Sequence, residues 1–156
     1  MMTETEKYMQ RAIELAKQAA TQDEVPVGAI VVDPQSGDII GEACNLSEHD
    51  GCACDHAELL AMRQACHKLG VNRLRDIDLY VTLEPCTMCA AAISFMRIKT
   101  LYFGAADTKG GAVVSGVRFY EQPTCHHRPE IFSGVCADEC SRLLKDFFRA
   151  KRDKNC

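Results

Sequence analysis

The sequence predicts a three-layer α/β/α sandwich built on a mixed central sheet. Two observations carry that expectation. Apolar residues switch repeatedly between helical and strand spacing along the chain, and an early hairpin is followed by helices alternating with strands. A third bounds it: 156 residues suffice for one domain with a real core, so residues 1–156 are expected to form a single domain.

The elements follow in order. Residues 4–20 place Tyr8, Met9, Ala12, Ile13, Leu15, Ala16 and Ala19 at helical spacing, which predicts an amphipathic helix. Residues 25–32, Val-Pro-Val-Gly-Ala-Ile-Val-Val, form an apolar β-branched run and predict a buried strand. A turn over residues 33–38 leads back into a partner strand at 39–43. Residues 45–55 are polar and aperiodic. A helix is expected over 56–69, closed by Gly70 as its C-terminal cap. A strand over 77–83 comes next, then a small-residue helix over 86–96 opened by Pro85. A strand over 99–103, a glycine-rich loop over 104–116, a short strand near Ile131 and a helix from 137 to about 152 complete the chain.

Composition is that of an ordinary globule, 47% hydrophobic and 26% charged, with no apolar run near the roughly 18 residues of a membrane span. The acidic N-terminus lacks the layout of a signal peptide, so a cytoplasmic place is expected, without a membrane partner. The net charge of −4 gives no general attraction to nucleic acid. Residues 141–156, however, concentrate Arg142, Lys145, Arg149, Lys151, Arg152 and Lys154. That run reads as a solvated helix face or as a phosphate footprint. Of the ten cysteines, Cys44, Cys66, Cys136 and Cys140 are expected to be small buried hydrophobes.

The chemistry rests on His56-Ala57-Glu58 and Pro85-Cys86-Thr87-Met88-Cys89, each at the start of an expected helix. Cys86 and Cys89, three apart on a helix, face the same way and can chelate one ion. A helix start favours the thiolate that zinc requires. With His56 they make three N/S ligands, which leaves the fourth tetrahedral position to a water acidified toward about pKa 7. Glu58, two residues beyond His56, reaches that water without ligating the metal and moves its protons. A zinc clip that only stabilises the fold would leave Glu58 and the fourth position unexplained.

The chain resembles the bacterial tRNA-specific adenosine deaminases, which convert a wobble adenosine of arginine tRNA to inosine. The likeness runs over nearly the whole chain, from Tyr8 to Arg152. It is carried by Glu24-Val-Pro-Val-Gly-Ala29, Asn45, His56-Ala-Glu58, Leu79-Tyr-Val-Thr-Leu-Glu-Pro-Cys86, Phe103-Gly-Ala, Asp107-Thr-Lys109, His127-Arg128 and Asp146-Phe-Phe148. The resemblance implies a cytidine-deaminase-like fold, one zinc ion per subunit, a tRNA anticodon stem-loop as substrate and a homodimer with active sites near the interface. It implies that His56, Cys86 and Cys89 are the ligands and Glu58 the proton shuttle. Asn45 would contact base and ribose, Val27 and Leu83 would wall the pocket, and Asp107 and Lys109 would lie beside the RNA backbone. Without the resemblance, Asn45 reads as a turn residue, Val27 and Leu83 as core, and the 107–109 segment as a surface turn.

One departure stands out. Where the family has Asp-Pro-Thr-Ala before the histidine, this chain reads Cys52-Ala53-Cys54-Asp55. Asp55 is placed to orient the imidazole or to face solvent, and His49, Cys52 and Cys54 offer a cramped further metal or redox site. The segment Cys125-His126-His127-Arg128 is read as a polar surface stretch in contact with RNA or the partner subunit rather than a metal site. Two other functions stay open: a deaminase of a free base or nucleotide (guanine, cytosine or deoxycytidylate), and a non-catalytic zinc-stabilised RNA-binding module. The second would tolerate loss of Glu58.

Overall fold

The computed structural model describes residues 1–49 and 51–154; Asp50, Asn155 and Cys156, parts of the polar stretch and the basic end, lie outside the described residues. Five strands, β1 (Gly28–Val32), β2 (Ile39–Cys44), β3 (Asp78–Leu83), β4 (Thr100–Ala105) and β5 (Glu130–Phe132), form one sheet in the order β2-β1-β3-β4-β5. β1 pairs antiparallel with β2 and β3, whereas β3–β4 and β4–β5 are parallel, so the sheet is mixed as expected. Helices α1 (Glu4–Thr21) and α4 (Ala137–Lys154) cover one face; α2 (Ala57–Leu69) and α3 (Thr87–Phe95) lie on the other.

Alternation along β3 shows how the layers are built. Leu79 and Val81 enter the core beneath α2 and α3, with Met62, Ile93 and Phe103. Tyr80 turns to α1 and joins Met9, Ile13 and Ile30. On that face Tyr80 stacks on Tyr102 at 4.3 Å and 4°, with Tyr8 and Phe132 each 5.3 Å further along the column. Asp78 shares the face; its buried Oδ1 has no hydrogen-bond partner among the described residues.

Five sequence expectations are corrected. The first strand begins at Gly28, not Val25: Pro26 has no N–H to donate, and Val27 N–H turns back onto the Val25 carbonyl at 2.8 Å. Pro85 stands one residue outside α3, because Cys86 has extended backbone (φ −72°, ψ 176°) and occupies the N-cap. The glycine-rich loop starts later, since Gly104 and Ala105 belong to β4. Cys125 is core, not surface: it packs against Ser94, and His127 Nε2 meets the carbonyl of Ile98, just before β4, at 2.7 Å. Cys44 and Cys140 are buried as expected, but Cys66, on α2, and Cys136, in the turn before α4, are half-buried. Gly70 does close α2, in the left-handed region at φ 67°. A short 3-10 turn, Phe119–Glu121, had no signal in the sequence.

The register brings four strand ends together. Because β1 runs antiparallel to β3, the residue before β1 lies beside the residues that leave β2, β3 and β4. Val27, Asn45, Leu83 and Asp107 thereby meet at one end of the sheet, where ligands commonly bind in open α/β folds.

Candidate active site

At that end lies a pocket of about 270 Å³. His56 and Cys86 reach it from the first positions of two helices. Both are N-cap residues with extended backbone, and neither side chain caps its own helix. Instead they turn toward each other. His56 Nδ1 lies 3.6 Å from Cys86 Sγ and 3.5 Å from Cys89 Sγ, and the three ligand atoms all fall within 4.8 Å of one another. A tetrahedral zinc with Zn–S near 2.3 Å and Zn–N near 2.05 Å requires an N···S separation of about 3.6 Å. The donor set and its spacing therefore fit zinc. Among the described residues no other histidine, cysteine and carboxylate group of this kind occurs.

The electrostatics suit the same role. Its hydrogen bond with Cys89, and next that with His56, hold the Cys86 thiol down at about 4, so the site carries a thiolate at neutral pH. The bond to Cys86, together with burial, pushes the Cys89 thiol up. The Cys86 hydrogen bond also raises the His56 imidazole, against the opposing effect of burial. Glu58 is 4% exposed, and burial pushes its carboxyl above the usual range. A buried carboxyl beside the three ligand atoms, its pKa raised by burial, can both take and return a proton.

Val27, Asn45, Leu83 and Asp107 line the pocket; the resemblance implied Val27 and Leu83 as its walls, Asn45 at base and ribose, and Asp107 beside the RNA backbone. Asn45 Nδ2 donates to Ser47 Oγ at 3.0 Å. Lys109 is exposed and does not line the pocket; its N–H donates to Asp107 Oδ1 at 3.1 Å. Asp55 does not turn to the imidazole. Its Oδ2 accepts from Cys52 N–H at 2.9 Å and closes the loop on itself. His49 faces Asp23 rather than Cys52 and Cys54, and the three form no metal cluster. Sequence reasoning assigned no role to Ser47, Glu48 or Glu84, which also line the cavity. A charged residue closing an apolar strand and preceding proline was the one available signal for Glu84.

The family described as the cytidine and deoxycytidylate deaminase zinc-binding region matches residues 2–105. A tRNA-specific adenosine deaminase of Agrobacterium fabrum is 51% identical over 151 residues, covering 97% of this chain and 98% of that protein. The chain belongs to the tRNA-specific adenosine deaminases. A solved wobble-position tRNA deaminase of 51% identity superposes with a TM-score of 0.85, covering 88% of this chain and 99% of that one. A guanine deaminase from Nitrosomonas europaea shares the fold at a TM-score of 0.79 with 22% identity, covering 91% of this chain and 83% of that one. The chain is therefore a deaminase of a zinc-binding family. No helix among the described residues is long and apolar enough to cross a membrane.

Proposed function

We propose that this chain hydrolyses the wobble adenosine of a tRNA anticodon loop, that of arginine tRNA, to inosine. The carrying observation is the buried Glu58 carboxyl beside the His56–Cys86–Cys89 cluster at the floor of a pocket. One zinc ion per subunit, held by those three residues, would supply an acidified water as nucleophile. The single cluster among the described residues supports that stoichiometry.

The rest of the reaction belongs to the chain's own side chains. A target base splayed out of the anticodon loop enters between Val27 and Leu83, whose apolar walls exclude bulk water. The Asn45 amide meets the base edge or a ribose hydroxyl, its rotation set by the bond to Ser47. As a C–O bond forms at the amino-bearing ring carbon, the adjacent ring C=N π bond opens and Glu58 carries one proton of the water to that ring nitrogen. It then carries the remaining hydroxyl proton to the exocyclic nitrogen, the C–N bond breaks, a C=O is left and ammonia leaves. Asp107 and Lys109, on the loop after β4, face the incoming RNA backbone in this reading. The basic residues of α4 supply phosphate contacts and so a salt-dependent affinity.

We propose further that two copies associate through the outer face of α3. Phe95 there is 71% exposed, and Val114 and Val117 on the loop after β4 are exposed too. The tRNA-specific names of the relatives support a cytoplasmic place.

The test is an arginine-tRNA anticodon stem-loop incubated with zinc-loaded protein, with inosine read as A-to-G after reverse transcription and Glu58→Ala as control. Conversion by wild type alone upholds the reading. Ammonia released from free guanine or a cytosine nucleotide, with no conversion of RNA, overturns the substrate assignment.

A further inference from the structure

Two loops form opposite rims of the pocket. Residues 45–49 leave β2 on one side and residues 107–115 leave β4 on the other. Loops in such positions are usually mobile. Here each is tied to a buried carboxylate.

Glu84 is 2% exposed and accepts five hydrogen bonds. Its Oε1 takes Asp107 N–H at 2.9 Å and the Ser115 hydroxyl at 3.0 Å. Its Oε2 takes the successive amides of Val113, Val114 and Ser115 at 3.0, 2.9 and 3.0 Å. Glycine at 111 is what lets the loop fold over the carboxylate: a Cβ there would stand 2.5 Å from Glu84 Cδ. Across the pocket Glu24, 1% exposed, accepts Glu48 N–H at 3.0 Å through Oε1 and His49 N–H at 2.9 Å through Oε2. Among the described residues no lysine or arginine pairs with either carboxylate. Groups of the rims satisfy them: backbone amides and, for Glu84, the Ser115 hydroxyl.

We infer that Glu84 and Glu24 are positioning residues that preshape the two rims for the nucleotide entering the pocket. Neither needs to touch the reacting atoms. A rim already ordered costs nothing to order on binding, so its release is felt in substrate affinity more than in the bond-breaking step. The inference rests on the proposal that the pocket admits a nucleotide of RNA.

The substitution Glu→Gln tests it with little change in volume. It puts an NH₂ against an amide that needs an acceptor. With the wobble-adenosine stem-loop, Glu84→Gln should raise KM about tenfold while kcat per bound zinc stays within about twofold. Glu24→Gln should raise KM less, because it loses one acceptor position rather than up to three. Hydrogen exchange on the substrate-free protein gives an independent reading. Amides 107 and 113–115 should exchange faster in Glu84→Gln with 48 and 49 unchanged, and the reverse should hold in Glu24→Gln. If Glu84→Gln does not fold or loses zinc, Ser115→Ala, which removes one of the five bonds, and Glu24→Gln carry the same test. Unchanged exchange at the expected rim, unchanged KM, or a fall in kcat per zinc at constant KM would each overturn the inference. A wild type that fails to convert the stem-loop defeats the RNA reading instead, and the exchange pattern still decides whether the carboxylates hold the rims.

Discussion

Helix α1 begins under Thr3, whose Oγ1 accepts Glu6 N–H at 3.1 Å, while α2 and α3 on the opposite face begin at His56 and Cys86 without any side-chain cap. A serine, threonine or aspartate at each of those starts would satisfy orphan amides and add about 1 kcal/mol of helix stability. Helix α1 obeys that local rule and the α2/α3 face forgoes it twice. The difference shows where selection for chemistry overrides selection for stability. N-cap side chains project sideways from a helix end, and two helix ends at one sheet edge can aim theirs at a common point.

The most drastic way to break the contrast is Glu58→Gln. Turnover of the stem-loop should fall by about 10²- to 10⁴-fold, as expected for loss of a general acid–base. Thermal stability should not fall, since the side chain is already costly to bury; calorimetry checks this. Next comes Cys86→Ser. In the wild type, free zinc at a hundredfold excess over its Kd should stabilise the fold by about 2.7 kcal/mol. In the variant that response should vanish with the bound zinc, and a thermal melt still responding to zinc would refute the ligand assignment.

The other face should answer in stability alone. Thr3→Ala should cost about 1 kcal/mol, lowering Tm by roughly 2–4 °C for a chain of this size. Turnover per zinc should not change. The smallest effect is expected at Asp78. Burial pushes its carboxyl above the usual range, and its Oδ1 lacks a partner among the described residues. Between the unfolded pKa near 3.9 and the raised native one, the native state binds more protons than the unfolded one. Stability therefore falls as pH rises through that window, and the full penalty stands at neutral pH. Asp78→Asn should thus stabilise by up to about 1 kcal/mol at pH 7, a gain that disappears below about pH 4. Urea titrations at the two pH values measure it.

The comparison also explains what could be read from sequence. The grouping of His56, Cys86 and Cys89, with buried Glu58 beside it, was legible because it depends on spacings of two and three residues at helix starts, which are local quantities. The layered fold was legible from the switch between helical and strand periodicity. The first strand was overextended because Val25 and Val27 are as apolar as the strand itself, yet they wall a cavity. Glu84 was invisible in its role because its partners are backbone amides and the Ser115 hydroxyl, 23 to 31 residues further on, beyond any local pattern. Cys125 misled for a related reason: its neighbours His126, His127 and Arg128 are polar, and only tertiary packing, Ser94 included, buries it in the core.

The tyrosine column on the α1 face has an optical consequence. The chain contains no tryptophan and four tyrosines, so ultraviolet emission comes from phenol rings alone. Three of the four, Tyr8, Tyr80 and Tyr102, stand in that one stack, remote from the pocket. The fourth, Tyr120, donates its hydroxyl to the Ala90 carbonyl within α3 at 2.9 Å. Emission should therefore follow the melting of the α1 layer closely and stay nearly dark to substrate binding. A tryptophan introduced at the exposed Phe148 of α4 would supply a second, separately excitable signal.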